Sequence, residues 1–229
     1  MLGLSDADLT AFAITLKLAA ISTLLLLVLS APLAWWLAHT HRRSKVLVEA
    51  LVAMPLVMPP TVMGFYLLML FGPRGWIGGF LESIGLPHLA FTFTGLVVGS
   101  MFFSLPFVVQ PLQNAFAATG LRVLEVANTL RASPLDRFCS VILPLSRRGL
   151  VTAGVLSFAH TLGEFGMILL IGGNIPGATQ VASIAIYDHV ETMDYDAAHG
   201  LSLVLVCSSF LLLLVVFALN RRFKVVGAV

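Results

Sequence analysis

Charge-free apolar stretches recur along this chain at a length that suits a bilayer better than a soluble core. Five of them cover residues 18–38, 50–73, 93–116, 150–171 and 200–220, the fourth carrying only Glu164. A helix takes about 20 predominantly apolar residues to cross the hydrocarbon core, so each stretch predicts one span. The expected fold class is an all-α membrane protein with about five transmembrane helices. No internal repeat, low-complexity run or flexible linker divides residues 1–229, which read as one transmembrane domain. A further short, re-entrant piece is expected over residues 180–190.

Local signals refine these elements. Ser5, with Asp8 three residues later, predicts a capped start to the first helix. Trp35 and Trp36 close its apolar run at the depth where aromatic rings favour the membrane interface. Pro55, Pro59 and Pro60 open the second span. Prolines there free carbonyl groups and bend the axis, so this helix is expected kinked and packed inside the bundle. Pro106 and Pro111 are expected to bend the third span in the same way. Residues 72–90 form an external turn region with Trp76 at its rim.

Composition narrows the class. Hydrophobic residues make up 59% and charged residues 10% of the chain, with a mean hydropathy of +0.99, which excludes an ordinary soluble domain. Under a five-span topology, eleven of the thirteen Lys and Arg share one face: Arg42, Arg43, Lys45, Arg122, Arg131, Arg137, Arg147, Arg148, Arg221, Arg222 and Lys224. That face is cytosolic by the positive-inside rule, placing the N-terminus outside and the C-terminus inside. The other face holds Arg74, Lys17 nearby, and the acids Asp6, Asp8, Glu82, Asp188, Glu191, Asp194 and Asp196. The first apolar stretch has no basic leader or small-residue cleavage site and reads as a retained helix. Topology accounts for the Arg residues, so the net charge of +2 does not point to nucleic acid. Cys139 and Cys207 lie too far apart to pair and have no partner at metal-ligand spacing; they read as packing residues, with no metal site.

Two segments stand out chemically. Residues 120–146 are a charged island on the cytosolic face, where Glu125, Ala127, Leu130, Phe138 and Ile142 alternate with charges as in a short amphipathic helix. Ser133-Pro134 predicts a break within it. The island is either a docking lever or an ordinary loop capping the bundle. In the fourth span, Glu164 is expected about 14 residues into its helix, roughly 20 Å from the cytosolic end. His160 lies four residues earlier on the same face, within hydrogen-bonding reach. An ionisable group at that depth faces a bundle interior or an aqueous cavity, so Glu164 is either a path-lining gate or an internal strut. Gly163 and Gly166 would let another helix approach closely. A zinc site is excluded, since HTLGE has one His where the zinc motif needs two. Ser100, Ser104, Ser157 and Thr161 read as helix–helix glue or as weak contacts for a passing solute. Limited room within five helices makes a symmetric homodimer the expected route to a pore.

The island resembles the cytoplasmic coupling segment of ABC-transporter permeases. Glu125, Ala127, Leu143 and Pro144 fit that pattern; Val126 replaces an Ala-type residue, and Arg131 stands where the family usually has Gly. LGEFG, followed by GGNIPGATQVASIAIYDHVE, resembles molybdate permeases, as does PLVMPPTVMGFYLL; sulfate permeases share LGEFG. The resemblance implies a type I ABC importer permease fold in a bacterial or archaeal cytoplasmic membrane. It implies a homodimeric pore, two cytosolic ATPase subunits and an external molybdate-binding protein, with membrane lipid around the chain. The coupling residues would be Glu125, Ala127, Leu130, Arg131, Ala132, Ser133, Pro134, Phe138, Leu143 and Pro144. His160, Gly163, Glu164 and Gly166 would line or gate the path, and Pro55, Pro59 and Pro60 would kink the second span. The chain itself carries no GxxxxGK[ST] phosphate loop, so the resemblance implies that it binds no cofactor and catalyses nothing. ATP and Mg would sit on the partner ATPase. Alternatives are a sulfate or thiosulfate permease, an ATP-independent channel or carrier, and an embedded enzyme using His160 and Glu164.

Overall fold

The structure, a computed structural model, describes residues 4–119 and 133–222. Its helices are α1 (Asp6–His39), α2 (Ser44–Ala53), α3 (Pro60–Phe71), α4 (Trp76–Ser83), α5 (Phe93–Thr119), α6 (Pro134–Arg137), α7 (Leu143–Leu145), α8 (Arg147–Leu162), α9 (Gly166–Gly172), α10 (Ala182–Glu191) and α11 (Tyr195–Arg222). Among the described residues there are no strands. Three helices, α1, α5 and α11, are long and apolar enough to cross a membrane unbroken, and two bent pairs bring the count to five. Three spans are thus unbroken, and five are reached if each bent pair, over Ser44–Ser83 and Phe138–Leu162, crosses as one.

The α1 start follows its sequence. Ser5 Oγ accepts the Asp8 amide at 3.2 Å while the Asp8 carboxylate accepts the Ser5 amide at 2.9 Å, closing a capping box. With 34 residues, α1 extends beyond both ends of its apolar stretch and tolerates Pro32 in its interior.

The second span departs from a simple kink. Helix α2 passes through a 3₁₀ turn at Met54–Leu56, stops, and restarts at Pro60 after a bend of 109°. Pro60 disfavours a helical residue before it. Pro59 accordingly sits at φ −57°, ψ 136°, outside the helix. The consecutive prolines make a break where a single proline makes a bend. Pro106 and Pro111 do not interrupt α5, which stays helical from Phe93 to Thr119.

The fourth span is also discontinuous, correcting the expectation of one helix over residues 150–171. It ends at Leu162, unwinds through residues 163–165 and resumes as α9. Before it, a π-helical turn at Phe138–Ile142 and α7 meet α8 at 68°. Helix α10 fills the place of the expected short piece.

Helix α5 is the centre of the bundle, with 61% of its best apolar window buried, against 11% for α11. One core cluster joins α3, α5 and α9 through Met63, Leu67, Leu96, Phe103, Met167 and Ile171. A second joins α1, α5 and α8 through Leu26, Ala34, Leu37, Val109, Leu112, Phe116 and Ala153, and a third, smaller one joins α1, α10 and α11 through Ala11, Ala182, Ala185 and Leu201. Gly64 lets α3 approach α9: a Cβ there would stand 3.0 Å from the Met167 Cα. Cys139 and Cys207 are both exposed and unpaired, not packed inside as expected.

Candidate functional site

Glu164 sits in the unwound segment between α8 and α9, so it is not a helical residue as its apolar surroundings implied. Its side chain is 1% exposed. Ser100 of α5 donates to Oε2 at 2.6 Å, a length typical of a charge-assisted bond. Ser104, one turn further along α5, lies 3.4 Å from Oε1. The Glu164 backbone is held as well, its carbonyl accepting from Ser183 of α10 at 2.5 Å. One residue in a helix break thus links α5, the α8–α9 pair and α10.

His160 comes close as expected, its Nδ1 3.5 Å from Glu164 Oε1. The nearer contact is Ser104 Oγ, at 2.9 Å from Nδ1. Ser104 also meets Thr161 Oγ1 at 3.2 Å. The imidazole stacks on Phe107 at 4.2 Å and tilts against Phe103 at 4.8 Å. Ser157 accepts from Thr23 of α1 at 3.3 Å. All four hydroxyls named from the sequence therefore cross between helices.

The glycines divide. A Cβ on Gly166 would meet Thr61 Cγ2 at 3.2 Å and Pro60 Cβ at 3.7 Å, so the two helix breaks lie against each other. Gly163 is exposed, and a Cβ there would meet only the His160 carbonyl of its own turn, at 3.8 Å. It does not mediate a helix approach, contrary to expectation. The proline break thus places Pro59 and Pro60 beside the Glu164 segment, while Pro55 is buried in the 3₁₀ turn.

Of the island, Glu125, Ala127, Leu130, Arg131 and Ala132 lie outside the described residues. Ser133 caps α6: its hydroxyl accepts the Asp136 amide at 3.2 Å, and its carbonyl accepts the Arg137 amide at 2.9 Å. Ser133-Pro134 is therefore a helix start. Phe138 is half-buried against the bundle, edge-on to Trp35 at 6.4 Å and 6.2 Å from Phe116. Trp35 thus packs inward on the island instead of marking only the interface. Leu143, Pro144 and Leu145 form an exposed apolar step, while Ile142 behind them is buried. Ser146 and Thr119 hydroxyls meet at 3.2 Å, tying the inner ends of α8 and α5.

Sequence reasoning missed the polar network at the opposite end. Asp188 of α10 accepts from Asn174 at 3.0 and 3.1 Å and from Gln180 at 2.9 Å. Thr179 donates to the Gly172 carbonyl at 2.6 Å and accepts the Ile175 amide at 3.1 Å. Asn174, at φ 53°, turns this loop through the left-handed region. His189 Nε2 meets Asp8 Oδ1 at 2.7 Å, joining α10 to the start of α1. Asp188 is thus a loop tie, Asp194 accepts the Ala197 amide at the start of α11, and Asp8 adds a tie to its expected capping role. The signal was present in NIPGATQ…YDH as amide and carboxylate side chains, but their pairing spans 8 to 14 residues and, for Asp8, most of the chain.

Residues 30–224 match the family model of the binding-protein-dependent transport system inner membrane component. The chain is similar to the molybdenum transport system permease protein ModB of Azotobacter vinelandii, 57% identical over 96% of this chain and 97% of that one. It is 34% identical to the sulfate transport system permease protein CysT of Escherichia coli, over 95% and 79% of the two chains. Among solved structures it is similar in fold to a chain of a bacterial ABC transporter involved in alginate import, with a TM-score of 0.76 at 18% identity, covering 96% and 81%. A second likeness is to the inward-facing MetNI methionine ABC transporter, with a TM-score of 0.67 at 16% identity, covering 96% and 99%. On the family match and the 57% identity, the chain belongs to the family of binding-protein-dependent transport system inner membrane components.

Proposed function

We propose that this chain is the membrane-spanning permease subunit of an ATP-driven importer of molybdate. The supporting observation is its 57% identity to ModB across nearly the full length of both chains. In this reading residues 1–229 form one transmembrane domain, N-terminus out, in the cytoplasmic membrane. Two copies enclose the pathway, and an external binding protein delivers the oxyanion. Two cytosolic ATPase subunits grip the segment from Glu125 to Pro144, where the exposed Leu143–Leu145 step offers apolar area. ATP and Mg belong to those partners; this chain is non-catalytic and binds no cofactor.

Force applied at α6 and α7 reaches α8 directly, and reaches α1 and α5 through Phe138 on Trp35 and Phe116. The Glu164 cluster ties α5 to the α8–α9 break, so rotation of one carries the other. Glu164 is a strut in this arrangement, and His160, Gly163 and Gly166 flank the pathway beside it.

The test is uptake by proteoliposomes containing the permease, its ATPase and its binding protein. ATP-dependent accumulation of molybdate, competed by tungstate and weakly by sulfate, is expected. Preference for sulfate would move the substrate toward the CysT relatives. Uptake by the permease alone would replace the importer with a carrier.

A further inference from the structure

Among the described residues the side-chain partners of Glu164 are Ser100, Ser104 and His160, so an anion pathway there lacks a Lys or Arg. His160 supplies a donor instead. Its ring is clamped on three sides: Phe107 stacks on it at 4.2 Å, Phe103 tilts against it at 4.8 Å, and Ser104 engages Nδ1 at 2.9 Å. Nε2 has no hydrogen bond among the described residues, and the side chain remains 21% exposed. The exposed positions at helical spacing from the ring mix polar and apolar residues. Along α5, Phe107 is followed on the same face by exposed Gln110 and Asn114, and along α8 the exposed Thr152, Leu156 and Gly163 follow helical spacing about His160.

We propose that the Nε2–H of His160 is a transit contact for a tetrahedral oxyanion, the ring being held by Ser104, Phe103 and Phe107. This rests on the importer reading above. The carboxyl is buried and the imidazole partly exposed, so a passing anion meets the ring and not the acid. Ser104 has one hydroxyl proton, for which His160 Nδ1 at 2.9 Å is a nearer acceptor than Thr161 Oγ1 at 3.2 Å or Glu164 Oε1 at 3.4 Å. When it donates to Nδ1, the neutral ring must hold its own proton on Nε2; when the ring is an imidazolium, Nε2 also carries a proton. Both arrangements present a donor to the path. A neutral ring protonated only on Nδ1 would present a lone pair instead, and the inference excludes it as the transporting form. A single half-exposed donor also suits passage, because a contact in a pathway must be weak enough to release.

The test uses the full complex with ATPase and binding protein in proteoliposomes, with molybdate as the probe. His160→Gln keeps an N–H donor, whereas His160→Met has similar length and none. We expect H160Q uptake within about threefold of wild type and H160M uptake reduced about tenfold or more. ATP hydrolysis stimulated by loaded binding protein should persist in both. His160→Leu repeats the donor-free arm if the Met variant does not assemble. Equal uptake in wild type and donor-free variants overturns the contact, and so does an equal loss in H160Q and H160M, which marks a purely structural ring. Wild-type complex that moves sulfate in place of molybdate, with the same Gln–Met contrast, changes the substrate and retains the contact. Wild-type complex that moves neither oxyanion overturns the importer reading and the contact with it.

Discussion

At the residue scale, the buried carboxylate decides most. The Glu164 side chain is inaccessible, yet among the described residues its carboxyl has one donor under 3 Å, Ser100. Removing that hydroxyl leaves a buried carboxyl oxygen with no close partner, a loss of about 1–2 kcal/mol. Ser100→Ala is therefore expected to lower the thermal midpoint of the detergent-solubilised chain, whereas Glu164→Gln keeps an acceptor for Ser100 and should lose less. Equal midpoints for Ser100→Ala and wild type would remove Glu164 as a strut. The proximity of His160 and Glu164 was legible, because a four-residue spacing brings side chains together on a helix. Ser104 as the intermediary was not, since it comes from a helix 56 residues away in sequence and nothing local in either segment encodes that register.

At the element scale, hydropathy located the apolar segments and concealed the interruptions within the second and fourth of them. The residues on each side of a break are apolar, so the pattern runs through it unchanged. Pro59-Pro60 was the available sign, and its doubling, which fixes an extended residue before a residue without an amide proton, separates it from Pro106 and Pro111. At residues 163–165 no proline appears; the Ser183 hydroxyl on the Glu164 carbonyl replaces helical bonding there, a tertiary event. The two breaks are held together by close approach of α3 to α9. Gly64→Val would drive a branched side chain into the Met167 backbone, since a Cβ already stands at 3.0 Å. Overpacking of this kind costs about 1–3 kcal/mol, so a reduced thermal midpoint and slower uptake are expected. An outer-end counterpart is Asp188→Ala, which frees Asn174 and Gln180 together. Limited proteolysis from the external side should then cut within residues 172–181, where the wild-type loop resists.

At the scale of the whole molecule, the distribution of Arg and Lys makes one face cytosolic, and the exposed Leu143–Leu145 step lies on that face next to Arg147 and Arg148. Three consecutive exposed residues that include two leucines are costly to leave in water, whereas the Phe138 side chain, the larger apolar group in the same segment, already packs on the bundle. That division separates two jobs within a few residues: Phe138 and Ile142 anchor the segment to α1 and α5, and Leu143 to Leu145 remain for a partner. Leu145→Asp adds charge only to the free surface, so the chain should insert and keep its thermal midpoint while co-purifying with less than about a tenth of the wild-type ATPase, a loss of roughly 1.4 kcal/mol or more in association. Phe138→Ala should instead lower the midpoint by removing an aromatic contact on Trp35, worth about 0.5–1.5 kcal/mol beyond its burial. Exposed Cys139 between these groups reports the side of the membrane: an impermeant maleimide should label it in inverted vesicles and not in intact cells. Labelling from outside would put the basic face in the external medium, where no ATPase can reach Leu145, and retained ATPase binding by Leu145→Asp would show that the grip lies elsewhere on the cytosolic surface.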